Sequence, residues 1–242
     1  MQLQHYSEFK EVLDKYQVSP RAQEIIKDLK LVLLLGATSS GRNTIIKHQV
    51  GTGRYYYIVS DTTRPPREND GVMEENGREY WFHTEEEVLN DLKAGEYLEA
   101  EIIHGQQVSG TSVRELEKAK QENKIAITDV DIEGMHNIIK VKPDSIAVML
   151  LPPSFEEWQR RLAGRGQMRP DELKRRLQTA QKIFQDGLTQ DYYHYVISDD
   201  INQSSALIDA IVEDKANPHQ GRGRGLIEHL QSSLNEKLAS MY

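Results

Sequence analysis

The sequence contains no cysteine and no long hydrophobic run. Without cysteine, the 242-residue chain can form neither disulfides nor a thiolate metal site, which suits a reducing compartment. No apolar run approaches the ~20 residues that a membrane helix needs, and the charged first thirty residues do not resemble a secretory signal. The formal net charge of −8 argues against a general nucleic-acid-binding protein. We therefore expect a cytoplasmic protein that binds neither nucleic acid nor a membrane; the oligomeric state is open.

Apolar runs and helix-start signals alternate along the chain. Strands are predicted at Leu31–Leu35, Tyr55–Val59, Ile125–Thr128, Ser145–Leu151 and Tyr193–Ile197. Capping boxes, in which Ser or Thr precedes Glu by three residues, predict helix starts at Thr84, Ser112 and Ser154. Such alternation indicates βαβ units, and therefore an α/β fold with a mainly parallel sheet.

Two further segments flank this region. Before the first strand, apolar residues at helical spacing predict two helices, the second of which begins at Ser19-Pro20. Near the other end, the glycine-rich stretch 217–225 predicts a flexible linker. Leucines at every fourth position from Leu226 to Leu238 then predict a last amphipathic helix.

Residues 36–43 follow the frame of a phosphate-binding loop, GxxxxGK[ST], directly after the first strand. Such a loop binds anions through successive backbone N–H groups and a helix N-terminus. Arg42 stands where the frame has Lys, and Asn43 where it has Ser or Thr, although Thr44 offers a hydroxyl nearby. On these residues alone, phosphate binding and a plain strand-to-helix connection remain alternatives.

Three other stretches carry charged groups with two interpretations each. Arg64 and Arg67, stiffened by the prolines between them, form either an anion clamp or a solvated surface pair. Asp129 follows an apolar strand. It is either a carboxylate that organises Mg²⁺ or a polar residue that ends the strand for reasons of solubility. Arg165 and Arg176 belong either to a mobile lid or to an ordinary basic helix face.

The order of these motifs resembles that of the guanylate kinases. The chain carries, in sequence, the loop, TTRPPR, a Tyr-x-Phe, a Glu, a Gly-Thr-Ser, an Asp-x-Asp, a Pro-Pro-Ser, an Arg-Gly and a late Asp-Asp. The resemblance covers about residues 31–213 and implies an α/β fold, a P-loop NTPase-type parallel sheet core with a GMP-binding insert and a helical lid. The implied division is an N-terminal helical extension (1–30), the guanylate kinase-like domain (31–213, with core 31–53 and 113–213, insert 54–112 and lid 153–178), and a linker with a C-terminal helix (214–242).

The resemblance also implies the substrates, the metal and the site residues. ATP with Mg²⁺ would bind at Gly36, Ala37, Thr38, Ser39, Ser40, Gly41, Arg42, Asn43 and Thr44. GMP would bind at Ser60, Arg64, Arg67, Tyr80, Glu99, Thr111 and Asp131. The implied catalytic residues are Arg42, Arg165 and Arg176, and the metal would lie near Thr44 and Asp129.

The chain departs from the family's pattern in several places. Besides Arg42 and Asn43, the segment Glu68–Glu79 is longer than usual, and the stretch Gly105–Thr111 has an extra residue and lacks the usual tyrosine pair. Ser198 stands where Asn is usual. The resemblance implies Mg²⁺-dependent transfer of the ATP γ-phosphoryl group to GMP. The alternatives are a catalytically weak or inactive guanylate kinase-like scaffold that binds a protein or phosphopeptide, and a kinase for another acceptor nucleotide.

Overall fold

The computed structural model describes residues 2–69, 71–164, 166 and 168–241. Within this part of the chain, the helices are α1 (Tyr6–Asp14), α2 (Pro20–Ile26), α3 (Arg42–Gly51), α4 (Glu85–Ala94), α5 (Val113–Gln121), α6 (Ile132–Val141), α7 (Phe155–Ala163), α8 (Pro170–Thr189), α9 (Ile201–Val212) and α10 (Gln220–Ala239). The strands are β1 (Leu31–Leu35), β2 (Tyr55–Tyr57), β3 (Asp61–Thr62), β4 (Glu68–Asn69), β5 (Val72–Met73), β6 (Trp81–Phe82), β7 (Tyr97–Ile103), β8 (Gln107–Ser112), β9 (Ile125–Asp129), β10 (Ile146–Leu151) and β11 (His194–Ile197). Among the described residues, no helix combines the length and the apolar character needed to cross a membrane.

The chain divides into two compact units. The first comprises Met1–Leu31, Tyr55–Thr128 and His136–Ser145, and the second comprises Val32–Arg54, Asp129–Met135 and Ile146–Tyr242. The N-terminal helices belong to the first unit, where α1 packs on α4 and α2 packs on α5. The division into core, insert and lid stays a prediction.

A parallel sheet forms the centre of the second unit. β10 lies between β1 and β11 and runs parallel to both, with Leu34 opposite Val148 and Val148 opposite His194. All five residues of β1 are buried, as expected for a parallel strand that is covered on both faces. The helix α9 packs against α3, β10 and β11. The predicted α/β fold with a parallel sheet is confirmed.

The first unit contains a parallel strand pair and an antiparallel sheet. β2 runs parallel to β9, with Tyr55 opposite Ile125. The second sheet has the order β6-β3-β8-β7, in which β8 runs antiparallel to both β3 and β7. An apolar core that includes Phe9, Leu92 and Val108 joins this sheet to α1 and α4. The sequence did not predict this antiparallel sheet.

The three predicted helix starts are capped in different ways. Thr84 and Glu87 make both bonds of a capping box ahead of α4, and Ser154 accepts a backbone hydrogen bond ahead of α7. At Ser112 the predicted helix start is correct, because α5 begins directly after this residue. The predicted capping box is wrong, because the Ser112 side chain makes no capping bond. The carboxylate of Glu115, which would complete that box, instead forms an ion pair further along α5.

The predicted linker is another correction. Within the stretch 217–225, α10 begins as early as Gln220. Gly223 is buried, and a Cβ at this position would lie 2.2 Å from Cβ of Tyr195 in β11. The Gln220 amide also donates a hydrogen bond of 2.7 Å to the backbone oxygen of Tyr193. Glycine therefore permits close packing of this helix on the strand rather than flexibility.

Candidate active site

The loop after β1 turns sharply into α3. A Cβ on Gly36 would lie 2.6 Å from Oγ of Ser40 and 2.7 Å from the backbone oxygen of Leu150, so glycine is required there. Gly41 adopts φ 103° and directly precedes Arg42, the first residue of α3. A tight turn that leads into a helix N-terminus directs backbone N–H groups at an anion.

A buried tryptophan ties this loop to α7. Nε1 of Trp158 donates a hydrogen bond of 2.8 Å to the backbone oxygen of Thr38. The indole is fully buried, with ring centroids 5.8 Å from Phe155 and 5.7 Å from Phe184. The neighbouring Ser39 has φ 67°, which is uncommon for a residue other than glycine. The aromatic cluster therefore helps to hold the loop in a backbone conformation that costs free energy.

A cavity of about 740 Å³ opens beside the loop in the second unit. Its lining comprises Thr38, Ser39, Ser40, Gly41, Arg42, Asn43, Thr44, Ile45, Asp129, Arg161, Arg176, Ser198, Asp199, Asp200, Ile201 and Ser204. The predicted loop residues 38–44 thus meet the predicted Asp129 and Arg176 around one space. Its volume lies within the range of about 300–1,000 Å³ that is usual for ligand pockets.

Arg42 and Asp129 form an ion pair in this cavity. The distance from NH1 of Arg42 to Oδ2 of Asp129 is 3.1 Å, and the two side chains are 25% and 27% exposed. An ion pair with this much exposure contributes less than about 1 kcal/mol, so either partner can exchange it for a ligand at small cost.

Two further arginines line the cavity. Nε and NH2 of Arg176 both donate to Oε1 of Glu172, one turn earlier in α8. Arg161, which the sequence analysis missed, donates to Oγ of Ser198 at 3.0 Å and to its backbone oxygen at 2.9 Å. A signal was present, because Arg161 stands in the same arginine-rich run as the predicted lid residues. Arg165 lies outside the described residues.

In the first unit, one face of the antiparallel sheet carries polar side chains. Glu99 lies opposite Thr111, and Gln107 and Ser109 share a face with Thr111 because alternate residues of a strand point the same way. Val108 points to the opposite face, into the apolar core. Oγ1 of Thr111 donates a hydrogen bond of 2.8 Å to Oε1 of Glu99, and both residues are buried. The predicted guanine-binding carboxylate therefore has a neutral hydroxyl partner.

The predicted clamp residues Arg64, Arg67 and Tyr80 lie in the same unit. Both terminal nitrogens of Arg64 donate to the carboxylate of Glu74, and these side chains are only 9% and 8% exposed. The hydrogen bonds that Arg64 donates to Glu74 raise the pKa of Arg64, and the guanidinium lies 4.7 Å from the ring centroid of Tyr80. Glu74 also accepts from the backbone N–H of Arg67 at 2.9 Å, while NH2 of Arg67 lies 3.4 Å from Oε1 of Gln107. The guanidinium groups of the two arginines are therefore held by different partners.

The remaining predicted GMP-binding residues are Ser60 and Asp131. Ser60 directly precedes β3, and its backbone oxygen accepts a hydrogen bond of 3.0 Å from the backbone N–H of Trp81. Asp131 belongs to the second unit, unlike the other predicted GMP-binding residues. Its Oδ1 accepts a hydrogen bond of 2.8 Å from the backbone N–H of Gly134, in the first turn of α6.

A buried aspartate of β3 centres a polar group that the sequence analysis missed. Asp61 accepts hydrogen bonds from the hydroxyl of Tyr97 at 2.7 Å and from NH2 of Arg114 at 2.9 Å, and Nε2 of His83 lies 3.6 Å away. Burial raises the pKa of Asp61, and the charge of Arg114 acts in the opposite direction. The members are far apart in the chain and form no spaced motif, so the sequence offered no signal for them.

The residues of the cavity fit the Mg²⁺ ion that the resemblance implies. Mg²⁺ bound together with nucleotide phosphates needs only one or two protein carboxylates. The lining offers the carboxylate of Asp129 and the hydroxyl of Thr44. Within the described residues, Oγ of Ser40 is buried without a hydrogen-bond partner, so the loop has another oxygen atom of the kind that coordinates a metal ion. Oxygen donors of these kinds are the ligands that Mg²⁺ prefers.

Among known proteins, the chain is similar to guanylate kinases from several bacteria. A guanylate kinase of Corynebacterium jeikeium is 35% identical over 185 residues, which cover 76% of this chain and 95% of the relative. A guanylate kinase of Symbiobacterium thermophilum is 32% identical over 203 residues, which cover 83% of this chain and 92% of the relative.

A solved structure and a family model agree with these relatives. The crystal structure of guanylate kinase from Anaplasma phagocytophilum matches with a TM-score of 0.55 and 22% identity, covering 79% of this chain and 89% of that chain. At this identity the likeness shows the fold alone. The family model described as Guanylate kinase matches residues 28–215, which is more than half of the sequence. This match and the two relatives show that the chain belongs to the guanylate kinase family.

Proposed function

We propose that this chain transfers the γ-phosphoryl group of ATP to GMP, in a Mg²⁺-dependent reaction that yields ADP and GDP. The observation that carries the proposal is the buried carboxylate of Glu99, which Thr111 holds on the polar face of the antiparallel sheet. Membership of the family and the names of the bacterial relatives support it.

Glu99 suits guanine as the acceptor base. Guanine presents the N1–H and N2–H₂ donors on one edge, and an ionised carboxylate is an acceptor-only group. Adenine presents a lone pair at N1, so it would face the carboxylate oxygens with no proton between them. A buried polar group left unpaired in this way commonly lowers kcat/KM by about 10⁴ or more.

The acceptor phosphate would bind to the arginine clamp. Arg64 is fixed by Glu74 and by the ring of Tyr80, and Arg67 projects from the same loop. Guanidinium groups bind phosphate through paired N–H donors, so a clamp that is ordered beforehand loses little entropy on binding. The phosphate of GMP is already an anion, so its attack on the γ-phosphoryl group needs no strong base.

The donor nucleotide would bind in the cavity beside the loop of residues 36–44. The backbone N–H groups hold the phosphates, and Arg42 leaves Asp129 to contact the transferred group. Arg161 and Arg176 line the same cavity and neutralise charge that develops during transfer; Arg165 stays a predicted member of this set. Asp129 and Thr44 would hold Mg²⁺, which would supply further charge neutralisation when bound. Catalysis then consists of positioning and electrostatic stabilisation.

An assay of ADP formation from ATP with GMP, AMP, UMP or no acceptor tests the proposal. We expect turnover with GMP and a kcat/KM for AMP that is lower by about 10⁴. Comparable values for AMP and GMP would contradict the role of Glu99. Binding of GMP without any binding of Mg²⁺·ATP would favour the scaffold alternative.

Glu99→Gln is the matched variant for this test. Its amide keeps the size of the side chain and an oxygen acceptor for Thr111, but it replaces one carboxylate oxygen by a donor. We expect discrimination between GMP and AMP to fall because guanine loses an acceptor. Glu101→Gln serves as the control, because Glu101 lies on the same face of β7 opposite Ser109.

A further inference from the structure

The stretch Gly105–Thr111 lacks the tyrosine pair that is usual in guanylate kinases. It contains part of the turn after β7 and most of β8. His104 at φ 52° and Gly105 at φ 69° form the turn from β7 to β8. β8 begins at Gln107, which shares its face of the sheet with Thr111. An amide side chain therefore lies on the face that carries the predicted acceptor site.

Gln107 connects the second arginine of the clamp to the sheet. Its Oε1 lies 3.4 Å from NH2 of Arg67, and its Nε2 donates to Oγ of Ser109 at 3.3 Å. Because arginine can only donate, Oε1 rather than Nε2 must face Arg67. Oγ of Ser109 in turn donates to Oγ1 of Thr62 in β3 at 3.0 Å. The side chain of Arg67 is thereby linked to two strands.

The two arginines of the clamp differ in the charge of their partners. Arg64 is buried against the carboxylate of Glu74, which offsets its positive charge. Arg67 is exposed and contacts a neutral amide. A neutral acceptor can fix the position of a guanidinium while leaving its full charge available to an incoming anion.

We infer that Gln107 is a positioning residue, which holds Arg67 for the phosphate of the acceptor nucleotide. Gln107 acts through Arg67 and is not a catalytic residue. The inference rests on the proposed function, because it takes the acceptor's phosphate as the anion that Arg67 binds.

Calorimetric titrations with GMP and with guanosine test this role. The two ligands share base and ribose and differ in the phosphate, so the ratio of their dissociation constants isolates the phosphate contact. The proteins are the wild type, Gln107→Ala, Gln107→Glu and the control Gln106→Ala, whose side chain is exposed in the adjacent turn.

We expect Gln107→Ala to weaken GMP binding by roughly three- to tenfold, the value of one hydrogen bond, and to leave guanosine binding unchanged. Gln107→Glu should weaken GMP binding further, because a carboxylate pairs with Arg67 and competes with the phosphate. Gln106→Ala should behave as the wild type with both ligands.

Two results would overturn the inference while leaving the proposed function intact. One is an equal loss of affinity for GMP and guanosine in Gln107→Ala, which would mark a general structural role. The other is unchanged GMP affinity in Gln107→Ala, whatever the affinity of Gln107→Glu, because an added negative charge weakens phosphate binding without any positioning role. A wild type that binds GMP no better than guanosine, or binds neither, would overturn the acceptor-phosphate site itself, and the role of Gln107 with it.

Discussion

The loop of the second unit and the antiparallel sheet of the first unit hold their arginines in different ways. Beside the loop, the Arg42–Asp129 pair is about one-quarter exposed, and the groups that we propose bind the phosphates are backbone N–H groups. In the first unit, the side chains of Arg64 and Glu74 are more than nine-tenths buried, and Glu74 also accepts from the backbone N–H of Arg67 in the same loop as Arg64. The candidate site at the loop is formed by its main chain. The candidate site of the first unit is formed by interlocked side chains, meaning side chains that hydrogen-bond to one another.

This difference explains which departures from the family's pattern each region tolerates. Under the proposed function the loop binds through its backbone, so it requires Gly36 and Gly41 for its turn. We expect it to accept Arg42 for lysine because that side chain is loosely held. A site made of interlocked side chains needs a substitute when one is lost. We infer that Gln107 positions Arg67 in a stretch that lacks the usual tyrosine pair.

The largest effect is expected at Arg42. Arg42→Ala should lower kcat by roughly 10² to 10³, the usual cost of losing an electrostatic contact to the transition state. Arg42→Lys should keep a substantial fraction of the activity, because the backbone of the loop is unchanged and the positive charge is retained. Steady-state assays with ATP and GMP at saturation measure both.

Lys47→Ala is the control, because Lys47 is an exposed cation of the same helix α3. If the alanine variant of Arg42 turns over at the wild-type rate, the side chain has no part in transfer. If the lysine variant is as inactive as the alanine variant, arginine is specifically required, and the description of this site as backbone-built is wrong.

The second prediction contrasts the two ion pairs in stability. Glu74→Ala leaves the buried guanidinium of Arg64 without its carboxylate, so we expect the free energy of unfolding to fall by roughly 3 kcal/mol. Asp129→Ala removes a partly exposed partner and should cost less than about 1 kcal/mol. Urea denaturation followed by circular dichroism compares both variants with the wild type. Equal losses in the two variants would remove the contrast between tight and loose pairs.

Much of the fold could be predicted because its signals are local. The buried strand β1, the Ser19 cap before α2 and the Thr84 capping box each depend on a few adjacent residues. Two strands of the antiparallel sheet, β3 and β6, were missed because each is two residues long, too short for an alternating pattern. The glycines before Leu226 were misinterpreted because composition does not reveal that Gly223 must fit against Tyr195.

For the candidate site, the ordered motifs indicated the residue types but not their partners. Arg64 and Arg67 were identified together, whereas the carboxylate that fixes Arg64 lies in the longer segment Glu68–Glu79, where the family's pattern gives no guidance. Arg161 and Gln107 were missed for a similar reason, since their contacts join residues that are distant in the chain. Pairing across a fold depends on register and packing, which a single sequence does not contain.

The smallest effect is expected at Asp61, where the interlocked side chains of the sheet can be tested through pH. Because burial raises the folded-state pKa of this carboxyl above its usual value of 3.8, the folded protein binds the proton more readily than the unfolded chain does. The contribution of Asp61 to stability therefore decreases as the pH rises from about 4 through the raised pKa.

Asp61→Asn tests this effect, because it keeps an oxygen for the Tyr97 hydroxyl and does not titrate. It should change the free energy of unfolding by only about 1 kcal/mol, and its stability relative to the wild type should be higher at pH 7 than at pH 4. Urea titrations of the wild type, Asp61→Asn and the exposed control Asp14→Asn at both pH values measure this difference. Parallel stability profiles for the wild type and Asp61→Asn would show that Arg114 and Tyr97 fully offset the effect of burial on the Asp61 charge.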